Sequence, residues 1–495
     1  MENAKFEKRT RGSFEARWLG VLLFTATAVA SSAQTFTSLY SFCQNGCQDG
    51  FGPRAGLVQG TDGNLYGTTS YGGSGSGTVF VITPGGTLTT IYTFCAQGGC
   101  RNLARPSGVI LGTNGDLYGT TTGQGSHDAG TVFQLTPGGT LTTLYNFCSQ
   151  TGCTDGYTPA AGVIQAADGN FYGTTTYGGA TGEGPASGTI FKVTPDGVLT
   201  TLYSFCNGFS CPNGDGPGVA LVQSASGDFL GGTSDSSIPG TIFQITPGGT
   251  LTILYSFTTP FFPYPTPSAL VQSSDGDFYG TTGGGGANCL SDDGHGCGMV
   301  FQMTQEGALT TLYSFCAQAG CADGKYPGAA LVLATDGNFY GTTESGGANG
   351  SYGTIFRITP TGELTTLYSF CAQHACQDGA RPAAALVQAT DGNFYGTTKE
   401  GGANDKGTVF SLSTGLAPFV EALPLAGYPG SVVNILGTNL TGATSVTFNG
   451  AAASFIVESA SLITATVPGG STTGPIQVVT PGGTLSSNIA FHVLP

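Results

Sequence analysis

The chain has 495 residues, 84 of them Gly and 25 Pro, yet 39% are hydrophobic, enough to bury a core. It is therefore turn-rich and globular, not a disordered low-complexity tract. Only 9% of residues are charged and the formal charge is −15, which argues against nucleic acid or an anionic membrane surface as partner.

The N-terminus reads as an export signal. Lys5, Lys8, Arg9, Arg11 and Arg17 form a basic stretch and Trp18 to Ala30 an apolar run. Small residues follow, with Ala28-Val29-Ala30 or Ser31-Ser32-Ala33 as cleavage triplets. The run is too short to span about 30 Å of hydrocarbon. Residues 1–33 are therefore expected to be removed, leaving no membrane span. The remaining chain is expected outside the cytoplasm: extracellular, at the cell surface or in the periplasm. It would carry a net charge of −17 and no Trp.

From residue 34 to 415 the chain repeats itself. The run Asp-Gly-Asn-[Leu/Phe]-Tyr-Gly-Thr-Thr begins at Asp62, Asp168, Asp336 and Asp391, with looser copies at Asn114, Ser226 and Asp275. The period is about 55 residues. Each copy holds four short β-type runs, A to D, exemplified by Ala385 to Gln388, Asn393 to Thr398, Gly407 to Ser413 and Thr365 to Phe370. An Asp-Gly turn joins A to B, and Thr-Pro-Gly-Gly or a variant joins C to D. Seven such copies predict an all-β fold, a seven-bladed β-propeller. The chain opens on a lone D-type strand, Thr35 to Phe42, and the last copy ends after its C strand at Ser413. The N-terminal strand is thus expected to close the ring. Alternation in Leu-Tyr-Ser-Phe and Gly-Thr-Val-Phe, and the Tyr of the Asp-Gly-Asn run, predict packing between blades.

All fourteen Cys fall into seven neighbouring pairs: Cys43/Cys47, Cys95/Cys100, Cys148/Cys153, Cys206/Cys211, Cys289/Cys297, Cys316/Cys321 and Cys371/Cys376. An even count in an exported chain predicts disulfides, each stapling one loop. His295 lies between Cys289 and Cys297 with Asp292 and Asp293 nearby, which makes zinc the alternative. Each pair reads as isolated, however, and a closed zinc site takes four ligands. No metal and no other cofactor is expected.

In a four-stranded blade the A–B and C–D turns emerge on one face, the B–C and D–A segments on the other. The first face is monotonous. The second varies from copy to copy, as in Ser70 to Gly75, Tyr177 to Ser187, Gly283 to Gly296 and Lys399 to Asp405. Six tyrosines fall there: Tyr71, Tyr157, Tyr177, Tyr264, Tyr326 and Tyr352. Each offers a flat apolar ring with a hydroxyl tip, suited to a glycan or protein partner, and they are the candidate ligand-binding residues. The competing reading is that they fold back over loop backbone.

After Gly415 both the repeat and the cysteines stop. Residues 418–495 hold about seven short alternating runs, including Ser431 to Leu436, Ser445 to Phe448, Ser461 to Val467 and Pro475 to Val479. That spacing predicts an immunoglobulin-like β-sandwich. Gly437-Thr438-Asn439-Leu440, Val446-Thr447-Phe448-Asn449-Gly450 and Thr466-Val467-Pro468 resemble the IPT/TIG domain. In exported bacterial proteins that resemblance implies a spacer or adhesion module. Over residues 36–415, Gly56-Leu57-Val58, the Asp-Gly-Asn-Leu-Tyr-Gly-Thr-Thr run, Gly-Thr-Val-Phe and Thr-Pro-Gly-Gly together resemble the GloVer tandem repeat of exported bacterial choice-of-anchor proteins. That family has no established catalytic residues to carry over.

Paired carboxylates exist at Asp292/Asp293 and Glu400/Asp405, and Asp128 adjoins His127, all in Gly-rich loops expected to be solvated. There is no G-x-S-x-G elbow, H-E-x-x-H or phosphate loop. Each Asp-Gly-Asn turn offers one carboxylate, where calcium takes six to eight oxygens. The expectation is a non-enzymatic, monomeric, exported protein that binds an extracellular protein or glycan through its varied face. A structural exoprotein without a small ligand is the second reading, a polysaccharide-acting enzyme the third.

Overall fold

The computed structural model describes residues 34–494 apart from 45, 74, 97–102, 181–186, 207–210, 212, 225, 234–239, 258–265, 274 and 290–295. The expected export signal, residues 1–33, lies outside the described residues. Among those described, every regular element is a strand except three single 3₁₀ turns in the Cys loops. None is a helix long and apolar enough to cross a membrane.

The repeated residues explain the repeated strands. In the seventh repeat Phe394–Thr398 pairs antiparallel with Thr408–Ser413, and Gly396 lies opposite Phe410. A Cβ on Gly396 would sit 2.5 Å from the Phe410 ring, so Gly admits the ring across the neighbouring strand. Gly67 and Phe80 in the first repeat stand in the same relation.

Seven four-stranded antiparallel sheets result in the repeat region. Six are made of strands A to D of one repeat, in that order. In the seventh, Val387–Gln388, Phe394–Thr398 and Thr408–Ser413 are joined by Thr35–Ser41, with Thr35 opposite Ser413 and Ser41 opposite Thr408.

Between sheets the apolar residues form buried clusters that join consecutive repeats. Phe147, Val163, Phe171 and Phe191 join the second and third, for example. Phe42, Leu57, Phe80, Tyr395 and Val409 join the seventh and the first. The Tyr of the Asp-Gly-Asn run takes part as expected of a packing residue. The Tyr172 ring stacks on Phe229 of the next repeat, and Tyr340 on Phe394, each at 4.1 Å. Burying one such ring stabilises by about 1.5–3 kcal/mol, and each stacked pair adds roughly 0.5–1.5 kcal/mol.

The C-terminal segment forms two further four-stranded sheets. Glu421–Leu423, Val432–Leu436, Leu462–Thr466 and Phe455–Val457 make one; Ala451–Ala452, Ser445–Phe448, Ile476–Thr480 and Gly483–Ser486 make the other. They enclose Val433, Ile435, Val446, Phe448, Ile463 and Ile476. Strand alternation turns Leu423, Leu436 and Leu462 away from that core, and they pack instead with Leu111 of the second repeat. Asn434 Nδ2 donates to the Thr113 carbonyl at 2.9 Å, Ser461 Oγ to Thr61 O at 2.7 Å, and Phe419 N to Thr390 O at 3.0 Å. Thr61, Thr113 and Thr390 all belong to A–B turns. The sandwich therefore sits on the monotonous face and leaves the varied one open.

Candidate binding face

On the varied face the D–A and B–C segments meet at the same point in several repeats. Isolated bridges pair Phe51 with Tyr71, Tyr157 with Tyr177, Lys325 with Ser345 and Ala380 with Glu400. Three of the D–A loops are built around a buried acid, Asp155, Asp323 or Asp378, in the pattern Cys-x-Asp-Gly. Asp378 is wholly buried. Its Oδ2 accepts from the Tyr368 hydroxyl at 2.7 Å and Ala372 N at 2.9 Å, and its Oδ1 from Gln373 N at 3.1 Å. Asp155 and Asp323 hold their loops in the same way. Burial pushes the Tyr368 hydroxyl well above the usual tyrosine range, and its bond to the Asp378 carboxylate adds to the effect.

Disulfides join Cys43–Cys47, Cys148–Cys153, Cys206–Cys211, Cys289–Cys297, Cys316–Cys321 and Cys371–Cys376. Cys95 is also disulfide-bonded; Cys100 lies outside the described residues. The expectation that every pair is isolated does not hold. The sulfurs of Cys289, Cys297, Cys316 and Cys321 all lie within 4.8 Å of one another. The cause is strand pairing: Met299 opposes Ser314, which sets Cys297 and Cys316, two residues beyond each, side by side. Both pairs are oxidised here. His295, Asp292 and Asp293 lie outside the described residues.

The candidate tyrosines are distributed around this face, not gathered into one cluster. Tyr157 and Tyr177 stack on one another at 5.4 Å and remain 37% and 48% exposed. Tyr71 stacks on Phe51 at 5.3 Å. The Tyr326 ring lies 5.3 Å from Lys325 Nζ. Tyr352 is exposed, and its carbonyl accepts from Arg381 N at 2.7 Å. Tyr264 lies outside the described residues.

Basic residues converge on the same face as the tyrosines. Lys406 Nζ lies 5.3 Å from the Phe51 ring and Arg105 Cζ 5.5 Å from the Tyr71 ring. Lys406, Phe51, Tyr71 and Arg105 thus form one continuous stack drawn from the seventh, first and second repeats, an arrangement of cations on aromatic faces. Six of the eight described Lys and Arg residues occupy B–C or D–A segments: Arg54, Arg105, Lys325, Arg381, Lys399 and Lys406. The other two, Lys192 and Arg357, lie in C strands. Arg381 pairs with Glu400 at 3.3 Å, and Lys399 with Glu344. A groove of about 180 Å³ runs beside the stack, lined by Phe51, Arg54, Tyr71, Lys399 and Lys406 with Glu400 and Asp405.

A signal for this face was present in the sequence, in the residue preceding the first Pro of a repeat. Gly52, Arg105, Thr158, Gly216, Tyr326 and Arg381 occupy that position, with φ of 62°, 46°, 57°, 59°, 61° and 54°. Glycine adopts this left-handed conformation freely, whereas a residue with a Cβ loses about 1–2 kcal/mol. Four repeats nevertheless place a larger side chain there.

A second cavity, of about 310 Å³, opens where the first strands of the fourth to sixth repeats begin, lined by Val219, Ala220, Pro267, Ser268 and Ala330 among others. None of its lining residues is ionisable.

Among solved structures, a gluconolactonase from Xanthomonas campestris is similar at 13% identity, covering 78% of this chain and 93% of its own, with a TM-score of 0.39. A protein described as the extracellular domain of a one-component system from B. thetaiotaomicron is similar at 12% identity, covering 94% of this chain and 58% of its own, with a TM-score of 0.48. Comparison with curated proteins gives no match. The IPT/TIG domain matches residues 419–493, which gives the C-terminal sandwich an immunoglobulin-like fold. The Gloeobacter/Verrucomicrobia repeat matches twice, over residues 22–238 and 217–454, together well over half of the chain. By that match, and by the four-stranded repeats that carry it, the chain belongs to the Gloeobacter/Verrucomicrobia repeat family.

Proposed function

We propose that the seven sheets are the blades of a β-propeller closed by the N-terminal strand, and that the protein is an exported, non-enzymatic binding module acting through its varied face. Closure is supported by the pairing of Thr35–Ser41 with Thr408–Ser413 and by the cluster shared between the seventh and first repeats. The disulfides, and the lack of a membrane-crossing helix among the described residues, are consistent with an exported protein.

The observation that carries the binding role is the asymmetry of the two faces. The turn face holds the C-terminal sandwich. The opposite face spends backbone strain at Arg105, Thr158, Tyr326 and Arg381 on presenting side chains where Gly52 and Gly216 show that none is required. Residues held in such conformations by a rigid scaffold are commonly functional.

The test is retention of the purified chain on cell-envelope fractions and a polysaccharide panel. Retention is expected from wild type and is expected to fall in Tyr157→Ala/Tyr177→Ala or in Arg54→Glu/Lys406→Glu, with circular dichroism unchanged. Retention indifferent to every substitution on this face would overturn the reading and favour the structural exoprotein. The stacking of Tyr157 on Tyr177, each shielding part of the other, is the observation behind that alternative.

A further inference from the structure

We infer that the groove between the seventh and first repeats recognises the carboxylates of an acidic polysaccharide; this deepens the binding role proposed above and rests on it. The chain as a whole is acidic, at −15, yet its described cations are concentrated on this one face. At the groove the balance is reversed. Arg54, Lys399 and Lys406 line it, with Arg381 and Arg105 at its margins. Glu400 pairs with Arg381 at 3.3 Å, Lys399 pairs with Glu344, and Asp405 Oδ1 accepts from the Gly401 amide at 3.0 Å, which leaves Arg54, Lys406 and Arg105 as the groove cations outside any ion pair among the described residues.

The Phe51–Tyr71 pair explains how Lys406 and Arg105 are held. Its rings stack at 5.3 Å, and their outer faces are occupied by Lys406 and Arg105. The ring faces are therefore unavailable for a sugar to stack on, and recognition falls to the charged groups. Lys406 and Arg105 each rest over a ring, which restricts them and reduces the side-chain entropy lost when a ligand binds. Lys406, Arg54 and Arg105 remain exposed. Guanidinium groups form paired hydrogen bonds to planar carboxylates, and an ammonium supplies a further point charge. Arg105 and Lys406, on opposite sides of the stacked pair, suit anionic groups repeated along a chain. The groove, at about 180 Å³, suits a single sugar-sized unit between them.

The experiment compares binding of the full chain to polygalacturonate, to its methyl ester and to poly-glutamate, in wild type, Arg54→Glu/Lys406→Glu and Tyr157→Ala/Tyr177→Ala. Tight binding to polygalacturonate is expected, falling with added salt and lost at least about tenfold in the charge-reversed variant. The methyl ester is expected to bind as weakly as that variant does. Equal binding of ester and acid, or insensitivity to charge reversal, would overturn the inference. Poly-glutamate binding as tightly as the polysaccharide would overturn it too, in favour of an acidic protein segment. Retention of some other, neutral ligand that only the tyrosine variant abolishes would leave the varied face as a binding surface and remove the acidic polysaccharide from it.

Discussion

Gln59 and Thr390 stand 331 positions apart yet are joined by two hydrogen bonds, Thr390 N to Gln59 Oε1 at 2.9 Å and Gln59 Nε2 to Thr390 Oγ1 at 3.2 Å. The same link recurs locally: Gln388 Oε1 accepts from Thr335 N at 3.1 Å, and Gln165 Oε1 from Thr113 N at 2.8 Å. In each, the Gln ending one repeat's first strand holds the A–B turn of the repeat before. Between the last repeat and the first, it does so across the whole chain.

If this is a ring, its seam should be a weak point shared by both ends of the chain. Gly407 has φ of 98°, and a Cβ there would lie 2.9 Å from Pro53 and 2.3 Å from the Thr398 carbonyl. Gly407→Ala is expected to destabilise by at least about 1–2 kcal/mol, and Phe42→Ala by about 3–5 kcal/mol, in urea unfolding. Unfolding that is lost as one transition, with no separate melting of the N-terminal strand, is the expected behaviour of a closed seam.

Tyrosines hold both faces together as neutral phenols. Burial, assisted by a neighbouring Asp, raises Tyr279 and Tyr340 to about 12 and Tyr66, Tyr172, Tyr368 and Tyr395 further. An acid whose folded value exceeds its unfolded value of about 10 stabilises the fold fully below pH 10. That contribution is lost as pH rises toward 12 and beyond. Alkaline titration followed at 295 nm should therefore show an early class of exposed tyrosines and a late class that ionises together with unfolding. A single class at pH 10 with the fold intact would contradict it.

Glu421 predicts a pH effect at the opposite end of the scale. It is part-buried as a residue, but desolvation of its carboxyl lifts the pKa to about 7. The folded state then favours the protonated acid. Stability should be greatest below about pH 4.5 as far as this residue is concerned, and decline through pH 7, by up to about 3 kcal/mol. Glu421→Gln should abolish that component, so wild type and variant should differ more at pH 8 than at pH 5 in urea unfolding.

Docking of the C-terminal sandwich can be separated from its folding. Leu436 and Leu462 contact the second repeat's cluster, whereas the sandwich core is built from Val433, Ile435 and Ile463. Leu436→Asp is expected to release the sandwich, seen as a larger radius of gyration by small-angle scattering and as cleavage by protease near residues 414–418. The near-ultraviolet signal of each part should persist. An unchanged radius would mean that the hydrogen bonds from Asn434 and Ser461 suffice to hold it.

Much of the architecture was legible because it is repeated. Seven copies of one strand pattern, with Gly opposite Phe and, in all but the fourth, where Leu230 stands, Tyr before Gly, are local features that a chain read in order reveals. So were the Cys pairs as pairs, since each staple closes over a few residues. Leu111 and Leu333 depart from the Gln that stands at the same position as Gln59, Gln165, Gln223, Gln272 and Gln388, and only the folded chain shows that Leu111 shares a cluster with the leucines of the sandwich.

What the sequence determined by itself, then, is the repeating unit, because period, alternation and turn chemistry are all properties of residues within a few positions of each other. Three features were decided only by the tertiary structure. These are the convergence of Cys289, Cys297, Cys316 and Cys321, the seating of the sandwich on the turn face, and the stack of Lys406, Phe51, Tyr71 and Arg105. Each joins residues on different strands or repeats. Total charge and residue counts sum over the chain, whereas a Coulombic or stacking contact depends on separation of a few ångströms in space, and only the packing of one repeat on the next sets that distance.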